Sequence, residues 1–115
     1  MSIALVLFAL AAVGGLLMAT QRLRGADRPS LGIALVHGAA AAAGLIALLI
    51  AVVGPASPPL AKTALVVFLV AALGGFFLIT QHLQKRALPI PVMLVHGLVA
   101  VAGFILLLVA VAGVS

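Results

Sequence analysis

The chain has 115 residues, of which 67% are hydrophobic and 6% charged, and it carries six basic residues against one acid, Asp27, for a formal charge of +5. A soluble domain averages about half apolar and about a quarter charged residues, so this composition excludes a soluble globule and a disordered chain. With no Cys, it excludes a disulfide scaffold and thiolate chemistry as well.

An integral membrane protein remains. A bilayer core about 30 Å thick needs roughly 20 apolar residues per helix. The first predicted span runs from Ser2 to Thr20. No Lys or Arg precedes it, and a copy of it recurs later, so it reads as a true span rather than a cleavable leader. The break over 21–30 holds Arg22, Arg24, Gly25, Asp27, Arg28 and Pro29. A second span is predicted over Leu31–Val53, ended by Gly54, Pro55, Pro58 and Pro59. The third covers Ala61–Thr80, and the break over 81–91 carries Pro89 and Pro91. The fourth covers Val92–Val114. Apolar runs of this length must satisfy their backbone internally, which leaves helices. The first and third loops hold five basic residues, whereas the second loop side holds only Lys62. The excess of positive charge places loops 21–30 and 81–91 in the cytoplasm, with both termini outside.

The chain repeats itself. Ala4-Leu5-Val6, Phe8, Gly14-Gly15 and Thr20-Gln21 recur 60 residues later as Ala64-Leu65-Val66, Phe68, Gly74-Gly75 and Thr80-Gln81. Leu35-Val36-His37-Gly38, Gly44 and Gly54 recur at an offset of 59 as Leu94-Val95-His96-Gly97, Gly103 and Gly113. The expected fold is therefore one all-α transmembrane domain over 1–115, built from parallel two-helix repeats over 1–54 and 61–115. Two spans per repeat preserve orientation, so the repeats are expected about a pseudo-two-fold axis along the membrane normal.

His37 lies about six residues inside the second span, roughly 9 Å deep at 1.5 Å per residue, and His96 matches it in the fourth. Ionisable groups in a membrane are costly and usually face a bundle interior. The axis lets the two imidazoles face each other. Around them the expected faces are small: Ala40, Ala41 and Gly44 beside His37, and Val99, Ala100 and Gly103 beside His96. Gly14-Gly15 and Gly74-Gly75 should lie near the same depth and admit a close neighbour. A haem b with His37 and His96 as axial, metal-binding ligands would use this arrangement. Gly14, Gly74, Gly44 and Gly103 would leave room for the porphyrin, and Arg22, Arg24 and Arg86 would meet its propionates. Each imidazole would need a partner for its other nitrogen, either a backbone carbonyl, Thr20, Thr80 or a loop group.

Helix packing explains the same residues more plainly: membrane histidines bond across helices, and small residues let helices approach. A structural or oligomerising module is thus one alternative, and a small transporter using the histidine pair is another. Zinc lacks ligands. Met93 near His96 suggests copper, but its counterpart is Ala34, which favours a core role. His82, matching Arg22, reads as a solvated edge residue, and Asp27 as a local ion pair or turn residue. No paired carboxylates, nucleophile set or phosphate loop points to an enzyme. Nucleic-acid binding is not expected, because orientation explains the basic charge.

On His37-Gly38, His96-Gly97, the glycine pairs and the four-span plan, the chain resembles small bacterial four-helix membrane b-type cytochromes. Many of these carry four histidines for two haems. Here two histidines lie inside spans, so the resemblance implies one bis-histidine haem per chain. It also implies a bacterial inner membrane and electron exchange with a quinone or cytoplasmic redox partner, or haem handling.

Overall fold

In a computed structural model that describes residues 1–113, the chain forms four α-helices. They are α1 (Ser2–Leu23), α2 (Leu31–Val52), α3 (Pro59–Leu83) and α4 (Ile90–Val111). All four are long and apolar enough to cross a membrane. At 1.5 Å per residue, a 22-residue helix is about 33 Å long. The expected Val114 end of the fourth span lies outside the described residues.

Helices α1 and α3 run past their expected C-terminal boundaries by about a turn. Helix α1 passes Thr20 to Leu23, and α3 passes Thr80 to Leu83, because a polar interface residue such as Arg22 or His82 does not interrupt a helical backbone. At the other ends, Pro59 and Pro91 sit in the first turns of α3 and α4. Proline is tolerated there, since the first helical N–H groups have no intrahelical acceptor. Helix α2 starts where expected, with the Ser30 side chain accepting from Ile33 N.

Both α1 and α3 stop in a left-handed residue, Gly25 (φ +112°) and Lys85 (φ +57°) respectively. After α1, Gly25 N bonds Arg22 O and Ala26 N bonds Gln21 O; after α3, Lys85 N bonds His82 O and Arg86 N bonds Gln81 O. This is the paired 5→2 and 6→1 pattern of a Schellman cap.

Helix α1 packs mainly on α2, and α3 mainly on α4. The two hairpins meet through smaller α1–α4 and α2–α3 contacts, which leaves α1/α3 and α2/α4 as diagonals. The bundle measures 45 × 19 × 19 Å. Its inward residues follow helical spacing, for example Ala4, Phe8 and Ala11 on α1 and Gly44, Leu48 and Val52 on α2. Outward, large apolar side chains such as Ile3, Val36, Leu73 and Leu98 are exposed. A surface of this kind suits acyl chains rather than water.

The interior is built in levels. At the end bearing the α2–α3 turn, Phe8 and Phe68 stack with centroids 3.8 Å apart and planes 4° apart. Ala4, Leu48, Ala61, Ala64 and Leu107 surround them, all fully buried. At the end bearing loops 24–30 and 84–89, Leu78, Leu88 and Met93 form a separate cluster. Between the clusters the only buried apolar side chains among the described residues are those of Ala11 and Ala71. The core is interrupted at that level.

Candidate functional site

The histidines occupy the interruption. His37 comes from α2 and His96 from α4, across one diagonal of the bundle. His37 Nδ1 lies 2.7 Å from Ala11 O on α1, and His96 Nδ1 lies 2.7 Å from Ala71 O on α3. A carbonyl only accepts, so each Nδ1 carries a hydrogen and donates it. In the neutral ring, Nε2 then holds a free lone pair. This is the tautomer that a metal-binding imidazole needs when its other nitrogen is held by a second group. Of the partners the sequence left open, the backbone carbonyl is the one used. Thr20 and Thr80 instead donate to carbonyls of their own helices, Leu17 O and Phe77 O.

Glycines let each ring lie against its neighbouring helix. A Cβ at Gly14 would lie 3.3 Å from His37 Cβ, and one at Gly15 would lie 3.2 Å from His37 Cε1. In the second hairpin the same distances are 3.4 Å from Gly74 to His96 Cβ and 3.2 Å from Gly75 to His96 Cε1. Gly44 and Gly103 serve a different level. Their Cβ positions would lie 3.1 Å from the rings of Phe8 and Phe68, so the space they free is filled by phenyl groups. Gly38 and Gly97 face open space.

The imidazole centroids are 6.2 Å apart with planes at 79°. Both rings are half-buried. A groove of about 280 Å3 between α3 and α4 reaches His96 past Gly74, Val95 and Val99. Among the described residues, no group of three or more His, Cys, Asp or Glu could hold a bare metal ion. Two protein ligands suffice only where a cofactor supplies the remaining donors.

At the loop end the expected anion-binding residues separate. Arg22 is half-buried, and its Nε donates to Leu88 O at 2.9 Å. Arg24 and Arg86 are exposed. His82, expected to be a solvated edge residue, is half-buried and has Nε2 2.7 Å from Pro29 O. Asp27 contributes its carbonyl, which accepts from Leu88 N at 3.0 Å.

The sequence did not single out the Ala11 and Ala71 carbonyls. The trace was present in Ala11-Ala12-Val13-Gly14-Gly15 and Ala71-Ala72-Leu73-Gly74-Gly75: an acceptor one turn before a glycine pair, in both halves.

No family model matches the chain, and neither the curated proteins nor the solved structures contain a match.

Proposed function

We propose that the chain is a membrane haem protein that binds one haem b between α2 and α4, with Nε2 of His37 and of His96 as axial ligands, for electron transfer or haem handling. The observation that carries this reading is the spacing of two oriented imidazoles in a broken core. Metal–imidazole bonds are about 2.0–2.1 Å and a ring nitrogen lies about 1.1 Å from its centroid, so two rings on opposite sides of one metal sit about 6.3 Å apart. The observed 6.2 Å agrees. Edge-to-face contact spans about 4.5–7 Å and also admits this value. The partial exposure of both imidazoles favours the cofactor, because rings placed only for packing would be enclosed by neighbours, as Phe8 and Phe68 are.

When bound, the haem iron would supply a one-electron ferric–ferrous couple. The protein's part is to hold the rings. The Ala11 and Ala71 carbonyls fix the tautomer, and Gly14, Gly15, Gly74 and Gly75 fix ring position. Gly44 and Gly103 act at one remove, by seating the phenyl stack that floors the site. Arg22 faces the loop-end mouth, and Arg24 and Arg86 add positive charge there for the propionates.

The finer architecture belongs to the same proposal. Two tandem hairpins, 1–54 and 61–115, relate by a pseudo-two-fold axis along the membrane normal. The paired histidine bonds, paired glycine seats and paired Schellman caps support it. The basic loops lie in the cytoplasm of a bacterial cell, and the redox partner is a quinone or a cytoplasmic protein.

The test is the visible spectrum of protein purified in detergent after expression with ample haem, beside His37→Ala and His96→Ala. A sharp Soret band and split reduced bands, lost in either variant, are expected. A protein that stays colourless after haem addition overturns the reading and leaves the histidines as a packing device.

A further inference from the structure

The bundle closes differently at its two ends. At the α2–α3 turn end the interior is filled by the Phe8–Phe68 stack and the residues packed around it. At the loop end it is closed by a smaller cluster of Leu78, Leu88 and Met93, of which Leu88 alone sits in a loop, over 84–89, and is 6% exposed. Leu88 packs with Leu78 and Met93, and it is pinned at both backbone atoms. Its carbonyl accepts from Arg22 Nε at 2.9 Å, and its N–H donates to Asp27 O at 3.0 Å. The opposite loop is held in the same fashion. His82 Nε2 donates to the carbonyl of Pro29, itself buried, at 2.7 Å. Each loop is therefore fastened by a side chain from the other hairpin.

We infer that Arg22 and His82 form a clasp that keeps Leu88 seated as a stopper over the histidine level, and that opening this clasp admits the bundle's ligand from the loop end. The inference rests on the haem reading for the identity of that ligand, a flat apolar macrocycle with anionic edges. Two features select this end. The alternative end would require unstacking two buried phenyl rings. The loop end needs only a few hydrogen bonds released, each of modest net strength because water replaces it. The end also suits the ligand's chemistry, since the cationic residues Arg24, Arg28, Lys85 and Arg86 are exposed around it. Anionic edges would then leave the mouth last on entering and first on leaving. Arg22 plays two parts in turn: it holds Leu88 O while the clasp is shut, and its guanidinium still has terminal donors for a carboxylate.

A gate and a ligand contact differ kinetically. A gate sets a barrier common to both directions, so weakening it speeds uptake and release together and leaves affinity nearly unchanged. A lost contact speeds release alone. The experiment mixes detergent-solubilised apoprotein with haem and follows the Soret band by stopped flow; release is followed by transfer to a haem scavenger. Leu88→Ala and His82→Ala are compared with wild type. Lys62→Ala, which removes an exposed charge at the opposite end of the bundle, is the control. His82→Ala should raise both rates by about three- to tenfold, the worth of one released hydrogen bond. Leu88→Ala should raise both at least as much, Lys62→Ala neither, and His82→Gln, which restores an N–H donor, should return the rates toward wild type. Unchanged uptake in both Leu88→Ala and His82→Ala overturns the inference and points to lateral admission from the bilayer between the hairpins. Faster release with unchanged uptake also overturns it.

Amide hydrogen exchange supplies a readout that needs no haem. Loosening the clasp by His82→Ala should speed exchange over residues 24–30, which it holds directly, and over 84–93, tied to them through Leu88 N and Asp27 O, while leaving 45–53 and 60–70 unchanged. No change over 84–93 overturns the clasp even if haem binds. A wild-type protein that fails to bind haem while 84–93 responds leaves the clasp standing and removes the haem reading.

Discussion

The phenyl level and the imidazole level follow one plan with opposite results. Each takes a ring from two diagonal helices and rests it against glycine on the neighbouring helix. At the phenyl level the rings are 5% and 6% exposed, lie parallel and touch at 3.8 Å. At the imidazole level they are half-buried, nearly perpendicular and 6.2 Å apart, and among the described residues only Ala11 and Ala71 are buried between the two apolar clusters. Without a hydrophobic force between helices in lipid, a bundle is held by close packing and hydrogen bonds. The phenyl level supplies the packing. The imidazole level gives some of it up, and a polar pair at a loosely filled level is where a function-bearing group is to be sought.

If that division is right, the levels must fail differently. Phe68→Ala should be the most damaging single change to the empty protein, costing about 3–5 kcal/mol as a buried aromatic truncation. His96→Ala removes one net hydrogen bond and should cost only about 0.5–1.5 kcal/mol. Unfolding in mixed micelles of rising SDS content, followed by circular dichroism, measures both. Similar losses in the two variants would erase the distinction. Haem binding should rank them in the reverse order, with His96→Ala losing the spectrum and Phe68→Ala retaining it to the extent that it folds.

Glycine substitutions sharpen the comparison at smaller cost. At Gly103 an added methyl would lie 3.1–3.2 Å from three atoms of Phe68, a ring already stacked on its other face. Gly103→Ala should therefore destabilise by about 1–3 kcal/mol. At Gly75 the methyl would lie 3.2 Å from His96 Cε1, but that ring borders the groove between α3 and α4, into which it can shift. Gly75→Ala should cost the empty protein little and instead weaken haem, as a blue- or red-shifted or diminished Soret band. Gly97→Ala meets nothing within 4 Å and should stabilise by about 0.5–1 kcal/mol through helix propensity. Equal effects at the three positions would show that the levels do not differ in slack.

These glycines also mark where sequence reasoning stops. The four spans were legible because composition and length alone decide them. The histidines were legible because a polar group in an apolar run is conspicuous. The glycine roles were not. Gly14 and Gly44 were expected to serve the same cavity, yet one seats an imidazole and the other a phenyl ring. Which ring meets which glycine depends on the vertical register of two helices, and a smooth apolar surface encodes that register weakly. The bond made by His82 was not legible for a related reason: its acceptor, Pro29 O, lies 53 residues away in the chain. Arg22 and His82 differ in chemistry, so a position-by-position match does not suggest that both fasten loops.

The smallest expected effect separates the two hairpin ends. Both α1 and α3 finish in a Schellman cap that demands a left-handed residue, and the demand is met by Gly25 in one and by Lys85 in the other. A left-handed residue with a Cβ costs roughly 1–2 kcal/mol. Glycine avoids that cost but loses more chain entropy on folding, by about 0.5–1 kcal/mol. Lys85→Gly should thus gain a net of up to about 1 kcal/mol, and Gly25→Ala should lose a similar amount. The same SDS titration measures both. A gain at 85 without a loss at 25 would mean that the first cap tolerates a Cβ, and that the strain at Lys85 has a local cause other than its backbone angle. Because Lys85 lies in the loop that carries Leu88, Lys85→Gly should also leave the exchange of residues 84–93 slower or unchanged. Faster exchange there would show that the strained cap, rather than Arg22 and His82, governs how firmly this loop is seated.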